Sequence, residues 1–383
     1  MRIAQVAPLY ESVPPKLYGG TERVVSFLTE ELVKQGHDVT LFASADSITK
    51  ARLISNVEEA LRLNSKCQDH LTYHIVQLQE VADMAKEFDI IHFHTDYLHF
   101  PVSINFEVPH VTTLHGRLNL PELQFVYNKF CRQPVISISD NQQSPLPQAN
   151  WVATIHHGLP LNLLRPIDEE ENYFAFLGRI SPEKRVDRAI EIAKATGIKI
   201  KIAAKIDKAD QEYFDQQIRG LFDDPLVEFI GEINDNQKQE FLGKALALLF
   251  PIDWPEPFGL VMLEAMACGT PVIAFNCGSV PEIIEDGKSG FIVNSVDEAI
   301  NAVKKLHLLS KQEVRNCFEK RFTAGRMAND YVNVYRKLAG EKHSAQLKYL
   351  DIGYLSKNEE TNSPKPGNSH GFDDIKPYKY ASE

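Results

Sequence analysis

Short apolar runs separated by longer amphipathic stretches pattern the chain almost from end to end. Residues 2–9, 37–43, 108–114, 134–139 and 150–155, with the run opening at Asp89-Ile-Ile-His, read as strands, and so do 173–177, 199–205, 227–230, 247–250, 271–275 and 290–293. The intervening segments carry helical spacing: Val24, Val25, Phe27, Leu28, Leu32 and Val33 share one face of a helix ending near Gly36, and 76–88, 210–220 and 234–245 behave alike. Residues 53–72 show no clean period. Strand and helix in alternation predict an α/β fold built on parallel sheets. From about Gly340 the composition turns to Lys, Asn, Glu, Ser, Pro and Gly, which predicts a disordered tail over 341–383.

With 383 residues, of which 43% are hydrophobic, there is material for about two core-bearing domains. The formal charge of −11 argues against a nucleic-acid binder. Five cysteines, an odd number without Cys-x-x-Cys spacing, suit a reducing compartment. The first residues read as a strand rather than a signal peptide, and no apolar run approaches the roughly 20 residues that span a bilayer. The expectation is a soluble, cytoplasmic protein. Peripheral membrane contact has no support, because no basic amphipathic helix stands out.

The segment 256–271 draws the chemistry together. It follows the strand at 247–250 and the breaker-rich Pro251-Ile-Asp-Trp-Pro255, so a helix is expected from Phe258 or Gly259 to Gly269 at the carboxyl edge of a sheet, where open α/β folds bind ligands. Glu256 falls in the turn and Glu264 in the helix. Ionised carboxylates only accept hydrogen bonds, which matches vicinal sugar or ribose hydroxyls, and the first-turn N–H groups of Phe258, Gly259 and Leu260 suit hydroxyl or phosphate oxygens. Two glutamates alone read equally as a dipole partner and a solvated residue.

A second candidate is Gly178-Arg-Ile-Ser-Pro-Glu-Lys184, with Ser181 as N-cap and Pro182 at the first helical position. Arg179 and Lys184 would then converge on an anion at a helix N-terminus, a place where cations alone are unfavourable. Gly19 and Gly20 open another strand-loop-helix passage, although Gly-x-Gly-x-x-Gly is missing. His92, His94 and Asp96 share a strand end that imitates a metal site without completing one, and His115 ends the strand at 108–114. Asp140 is expected to cap the segment after the strand at 134–139, and the acidic run at 168–171 to be a solvated linker.

Glu256-Pro-Phe-Gly-Leu through Glu264-Ala-Met-Ala-Cys-Gly-Thr-Pro-Val-Ile-Ala274 resembles the donor-site signature of retaining glycosyltransferases of family 4, and weaker matches cover most of residues 1 to 340. The resemblance implies the GT-B fold, two Rossmann-like domains with parallel sheets facing an interdomain cleft. It divides the chain into an acceptor-side domain over 1–165, a nucleotide-sugar domain over 166–323 and a terminal helix over 324–340 crossing back. It implies Arg179, Lys184, Glu256 and His115 as catalytic, and Gly20, Phe258, Gly259, Leu260 and Glu264 as donor-binding. Gly19, His92 and Gly231 are implied as further cleft residues, with Gly231-Glu232 where relatives contact the base. His157 and Asn162 stand where similar sequences usually carry Asn and Asp.

The implied reaction moves a sugar from a nucleotide-diphosphate sugar, such as a UDP- or GDP-hexose, to an acceptor hydroxyl with retention of configuration. The departing phosphate would take the acceptor's proton after front-face attack. No Asp-x-Asp occurs, so no metal and no cofactor are expected. The acceptor, whether a sugar, a lipid-linked glycan or a small molecule, is not specified. A sugar-nucleotide epimerase or hydrolase of the same fold, an NAD-dependent oxidoreductase and a non-catalytic sugar-binding protein are the rivals. The missing glycine fingerprint disfavours the oxidoreductase.

Overall fold

The computed structural model describes residues 1–16, 19–169 and 171–355, with the backbone alone for 236 and 341–355. The first half forms a seven-stranded parallel sheet: β1 (Arg2–Val6), β2 (Asp38–Phe42), β3 (Arg52–Ile54), β4 (Ile90–Phe93), β5 (His110–Thr113), β6 (Pro134–Ser137) and β7 (Asn150–Thr154), in the order β3-β2-β1-β4-β5-β6-β7. The second half forms a six-stranded sheet from β8 (Tyr173–Arg179), β9 (Lys199–Lys205), β10 (Val227–Gly231), β11 (Ala247–Phe250), β12 (Val272–Phe275) and β13 (Gly290–Val293), in the order β10-β9-β8-β11-β12-β13. Counted from each half's own first strand, the two sheets share the order 3-2-1-4-5-6, to which the first sheet adds β7 at its edge. In each, the direction of winding reverses beside the first strand, between β1 and β4 and between β8 and β11, which is where doubly wound folds take ligands.

Helices cover both faces of these sheets, so most strand residues are buried and strands such as β11 are apolar throughout. Ala247 and Leu249 enter one core cluster while Leu248 and Phe250 enter the other, each on its own side of the pleat.

Several helices differ from the sequence reading. One runs His70–Met84, starting earlier than expected because Asp69 caps it through Leu71 N at 2.9 Å. The helix expected over 210–220 is instead a turn of α-helix at Gln211–Tyr213, a π segment at Phe214–Ile218 and a 3-10 segment at Arg219–Asp223. Asp140 caps nothing and accepts from Thr154 Oγ1 at 2.5 Å. The acidic linker is tied down: Glu171 accepts from Lys201 at 2.9 Å, and Glu169 faces Lys244 at 3.3 Å.

The terminal helix spans Ala324–Leu355, past its expected end, because 341–355 are rich in helix formers and no proline intervenes before Pro364. The remainder of the expected tail, 356–383, lies outside the described residues. Met327, Ala328, Tyr331, Val332 and Tyr335 of this helix pack into the first sheet's core with Ile3, Val24 and Ile90. No helix among the described residues is long and apolar enough to cross a membrane.

Candidate active site

Both winding reversals open on one cleft of about 530 Å³, within the range of small-molecule sites. Its walls include the loop after β1, the ends of β4, β5 and β8, and the turn after β11.

Arg179 is the last residue of β8, and its guanidinium is ringed by Glu183, by Asp210 at 3.3 Å and by Asp207 at 3.8 Å. Lys184 is not in a helical turn. Residues 181–184 close a turn, with Lys184 N bonded to Ser181 O at 3.1 Å, and the helix begins only at Val186. The reason is Arg185, held at φ 54° by bonds to Asp187 at 2.7 Å and Asp253 at 2.8 Å, so Ser181 caps no helix. The turn aims the Lys184 ammonium at the Glu256 carboxylate, with the Trp254 ring centroid 5.3 Å away. Trp254 Nε1 donates to the same Glu256 oxygen at 3.0 Å.

The next helix runs Leu260–Ala267, slightly shorter than expected. Gly259 caps it at φ 81°, a left-handed conformation that glycine adopts without strain. Glu264 is only 5% exposed, and its Oε1 accepts from Lys238 Nζ at 2.7 Å. The Glu256 turn is braced from behind by Gly278, at φ 59°, where a Cβ would collide with the Glu256 backbone N and O.

From the first half, Gly19 and Gly20 stand at the start of the Gly20–Lys34 helix. A Cβ on Gly19 would come within 2.8 Å of Pro15 Cβ. Glu22, in the first turn, is 5% exposed, and burial pushes its carboxyl up to about 7. His115 lines the cleft, stacks on His157 at 5.3 Å and is pushed down to about 3 by burial. His157 meets the Phe258 ring at 4.7 Å and so links His115 to the donor-motif turn.

Arg179, Lys184, Glu256, His115, Gly19, Gly20, Phe258, Gly259, Leu260 and Glu264 therefore border one hollow. Two expected cleft residues do not. His92 is fully buried, with Nδ1 2.7 Å from Tyr335 Oη and Nε2 2.7 Å from Thr113 Oγ1, and His94, one pleat on, reaches the cleft instead. Gly231 ends β10 at φ 76°, and the following Glu232 and Ile233 form the wall. Sequence reading missed Arg23, Asp235 and Lys238. Their partners lie far along the chain, so no local pattern marks them. Among the described residues no cluster of side chains fits a metal ion.

The family model described as Glycosyl transferases group 1 matches residues 165–323, and that described as Glycosyltransferase Family 4 matches residues 18–139. An uncharacterized glycosyltransferase of Methanocaldococcus jannaschii is 24% identical, covering 88% of this chain and 98% of that protein. The N-acetyl-alpha-D-glucosaminyl L-malate synthase of Bacillus anthracis is also 24% identical, over 83% of this chain and 93% of that protein. Among solved structures, Anabaena HepE in complex with UDP and glucose shares the fold, with a TM-score of 0.69, 20% identity and coverage of 88% and 100%. Each half carries its own Rossmann-like sheet, and both halves are matched by models of one enzyme type. The chain belongs to the glycosyltransferases of the family 4, group 1 type.

Proposed function

We propose that the protein transfers a hexosyl group from a nucleotide-diphosphate sugar to an acceptor hydroxyl, with retention of anomeric configuration and without a metal. One observation carries this reading. Arg179 at the end of β8, Lys184 in the turn that follows, and the carboxylates of Glu256 and Glu264 border the same cleft at a winding reversal. The two cations suit the diphosphate, Glu264 the ribose hydroxyls and Glu256 the sugar hydroxyls.

The bond between the anomeric carbon and the diphosphate oxygen breaks, and a bond to the acceptor oxygen forms on the same face. The acceptor's proton passes to the departing phosphate. Charge grows on that phosphate as the bond breaks, and a preorganised guanidinium and ammonium stabilise it without reorganising water. Glu256, Glu183, Asp207 and Asp210 hold the two cations in place until the diphosphate arrives. The UDP and glucose of the Anabaena structure favour a uridine donor.

The test is a panel of UDP- and GDP-hexoses screened by thermal shift, then assayed for nucleotide release with candidate acceptors, in chelator and in added divalent ion. Acceptor-dependent release that persists in chelator is expected. Release without any acceptor points to a hydrolase, and strict dependence on a divalent ion contradicts the metal-free reading.

A further inference from the structure

The transfer reading leaves unused a file of buried polar side chains running from the terminal helix to the cleft. Thr113 Oγ1 lies 2.7 Å from His92 Nε2, and His92 Nδ1 lies 2.7 Å from Tyr335 Oη. Gln5 Nε2 donates to Tyr335 Oη at 3.1 Å, and Gln5 Oε1 faces His94 Nε2 at 2.8 Å. His94 Nδ1 then faces His115 Nε2 at 2.8 Å. Gln5, His92, Thr113 and Tyr335 are 0% exposed and His94 2%. The file ends at His115 Nδ1, which is buried and finds no partner among the described residues, although the ring borders the cleft.

A neutral imidazole has one N–H and one lone pair, so each group in such a file fixes the next. With the Gln5 carbonyl facing it, His94 carries its proton on Nε2, and its Nδ1 can only accept. His115 must therefore bring its own proton on Nε2 to meet it. That leaves a bare lone pair on Nδ1 at the cleft wall. Burial lowers the basicity of His92, His94 and His115, which keeps the rings neutral as this logic needs.

We propose that Gln5 and His94 are positioning residues that lock His115 in the Nε2–H tautomer, so that Nδ1 accepts a hydrogen bond from a hydroxyl of the bound sugar and disfavours a sugar with only an acceptor there. The ligand half of this rests on the donor-sugar reading; the tautomer half does not. A reversed Gln5 amide would turn the Gln5–His94 and His94–His115 bonds around and leave an N–H at Nδ1 instead.

The test is two-bond ¹H–¹⁵N correlation on the full-length protein with ¹⁵N-histidine, the His115 signals being assigned by their loss in His115→Gln. An unprotonated Nδ1 and a protonated Nε2 are expected. A protonated Nδ1 in the wild type overturns the proposal, and that spectrum needs neither donor nor variant. Gln5→Leu should mix the two tautomers and lower kcat/KM for UDP-glucose about tenfold, the loss of one hydrogen bond. An unchanged tautomer in that variant also overturns the proposal. If wild type fails to turn over any nucleotide sugar while the tautomer is as expected, the donor reading fails and the relay stands.

Discussion

Lys238 Nζ stands 2.7 Å from Oε1 of Glu264 and 3.3 Å from Asp235, and Asp235 in turn pairs with Arg23 on the first half's opening helix. A line of alternating charge thus crosses the cleft and ends on the carboxylate assigned to the ribose. Asp235 faces both Arg23, only 11% exposed at its side chain, and Lys238. Asp235→Ala should raise KM for the donor severalfold with a smaller change in kcat, because Lys238 loses one of the two carboxylates that hold it against Glu264. Steady-state kinetics of this variant beside the wild type checks this, and equal KM values would remove the coupling.

The Lys184–Glu256 pair is expected to act on the transition state. Lys184→Ala or Glu256→Ala should lower kcat by on the order of a hundredfold or more while thermal unfolding stays cooperative. Near-normal rates in both variants reject these assignments.

Gly278 and Gly259 differ in what surrounds them. A Cβ on Gly278 meets the backbone of Glu256, whereas on Gly259 it meets the flexible end of Met262 at 2.8 Å and the Phe250 ring at 3.2 Å. Both alanine variants carry left-handed strain, on the order of 1–3 kcal/mol. Gly278→Ala should lose more stability and more activity, since the Glu256 turn itself must shift. Urea unfolding and nucleotide release together rank the two variants.

Two opposite pH effects are built into the first half. His115 is neutral in the folded protein down to about pH 3, and burial also depresses His92, His94, His99 and His157, whereas an unfolded histidine takes up a proton near pH 6.5. The unfolded chain binds more protons there, so stability should fall as pH drops below about 6.5. Glu22 acts the other way. Its carboxyl titrates at about 7 when folded and near 4.5 when unfolded, so it favours the folded state below about pH 4.5 and loses that contribution as pH rises to 7. Glu22→Gln should therefore gain on the order of 3 kcal/mol over wild type at pH 8 but not at pH 4.5. Unfolding of both proteins across this range decides it; a parallel pair of curves would contradict the buried-acid assignment.

Sequence legibility followed how local each cause is. The strand β11 could be read to the residue because burial on both faces makes it an unbroken apolar run, and β9 because Ile200, Ile202 and Ala204 alternate with Lys199 and Lys201. Helix starts were less readable. The turn before Val186 depends on Arg185 reaching Asp253, and nothing within the segment announces that bond. At the site, the motif residues lie close together in the chain and were visible, while Lys238 and Gly278 serve Glu264 and Glu256 only after folding brings them near. The resemblance points to His92 rather than His94, and nothing local shows its burial, because the partners that enclose it, Tyr335 and Thr113, come from other elements.

The central claim is that one hollow grips the diphosphate with cations from β8 and the turn that follows it, and the ribose with the Glu264 helix. A crystal structure with an intact, slowly hydrolysed analogue of whichever nucleotide sugar gives the largest thermal shift tests it most directly. The diphosphate should lie within hydrogen-bonding reach of Arg179 and Lys184, with Glu264 on the ribose hydroxyls. A nucleotide bound with its diphosphate away from both cations would contradict it.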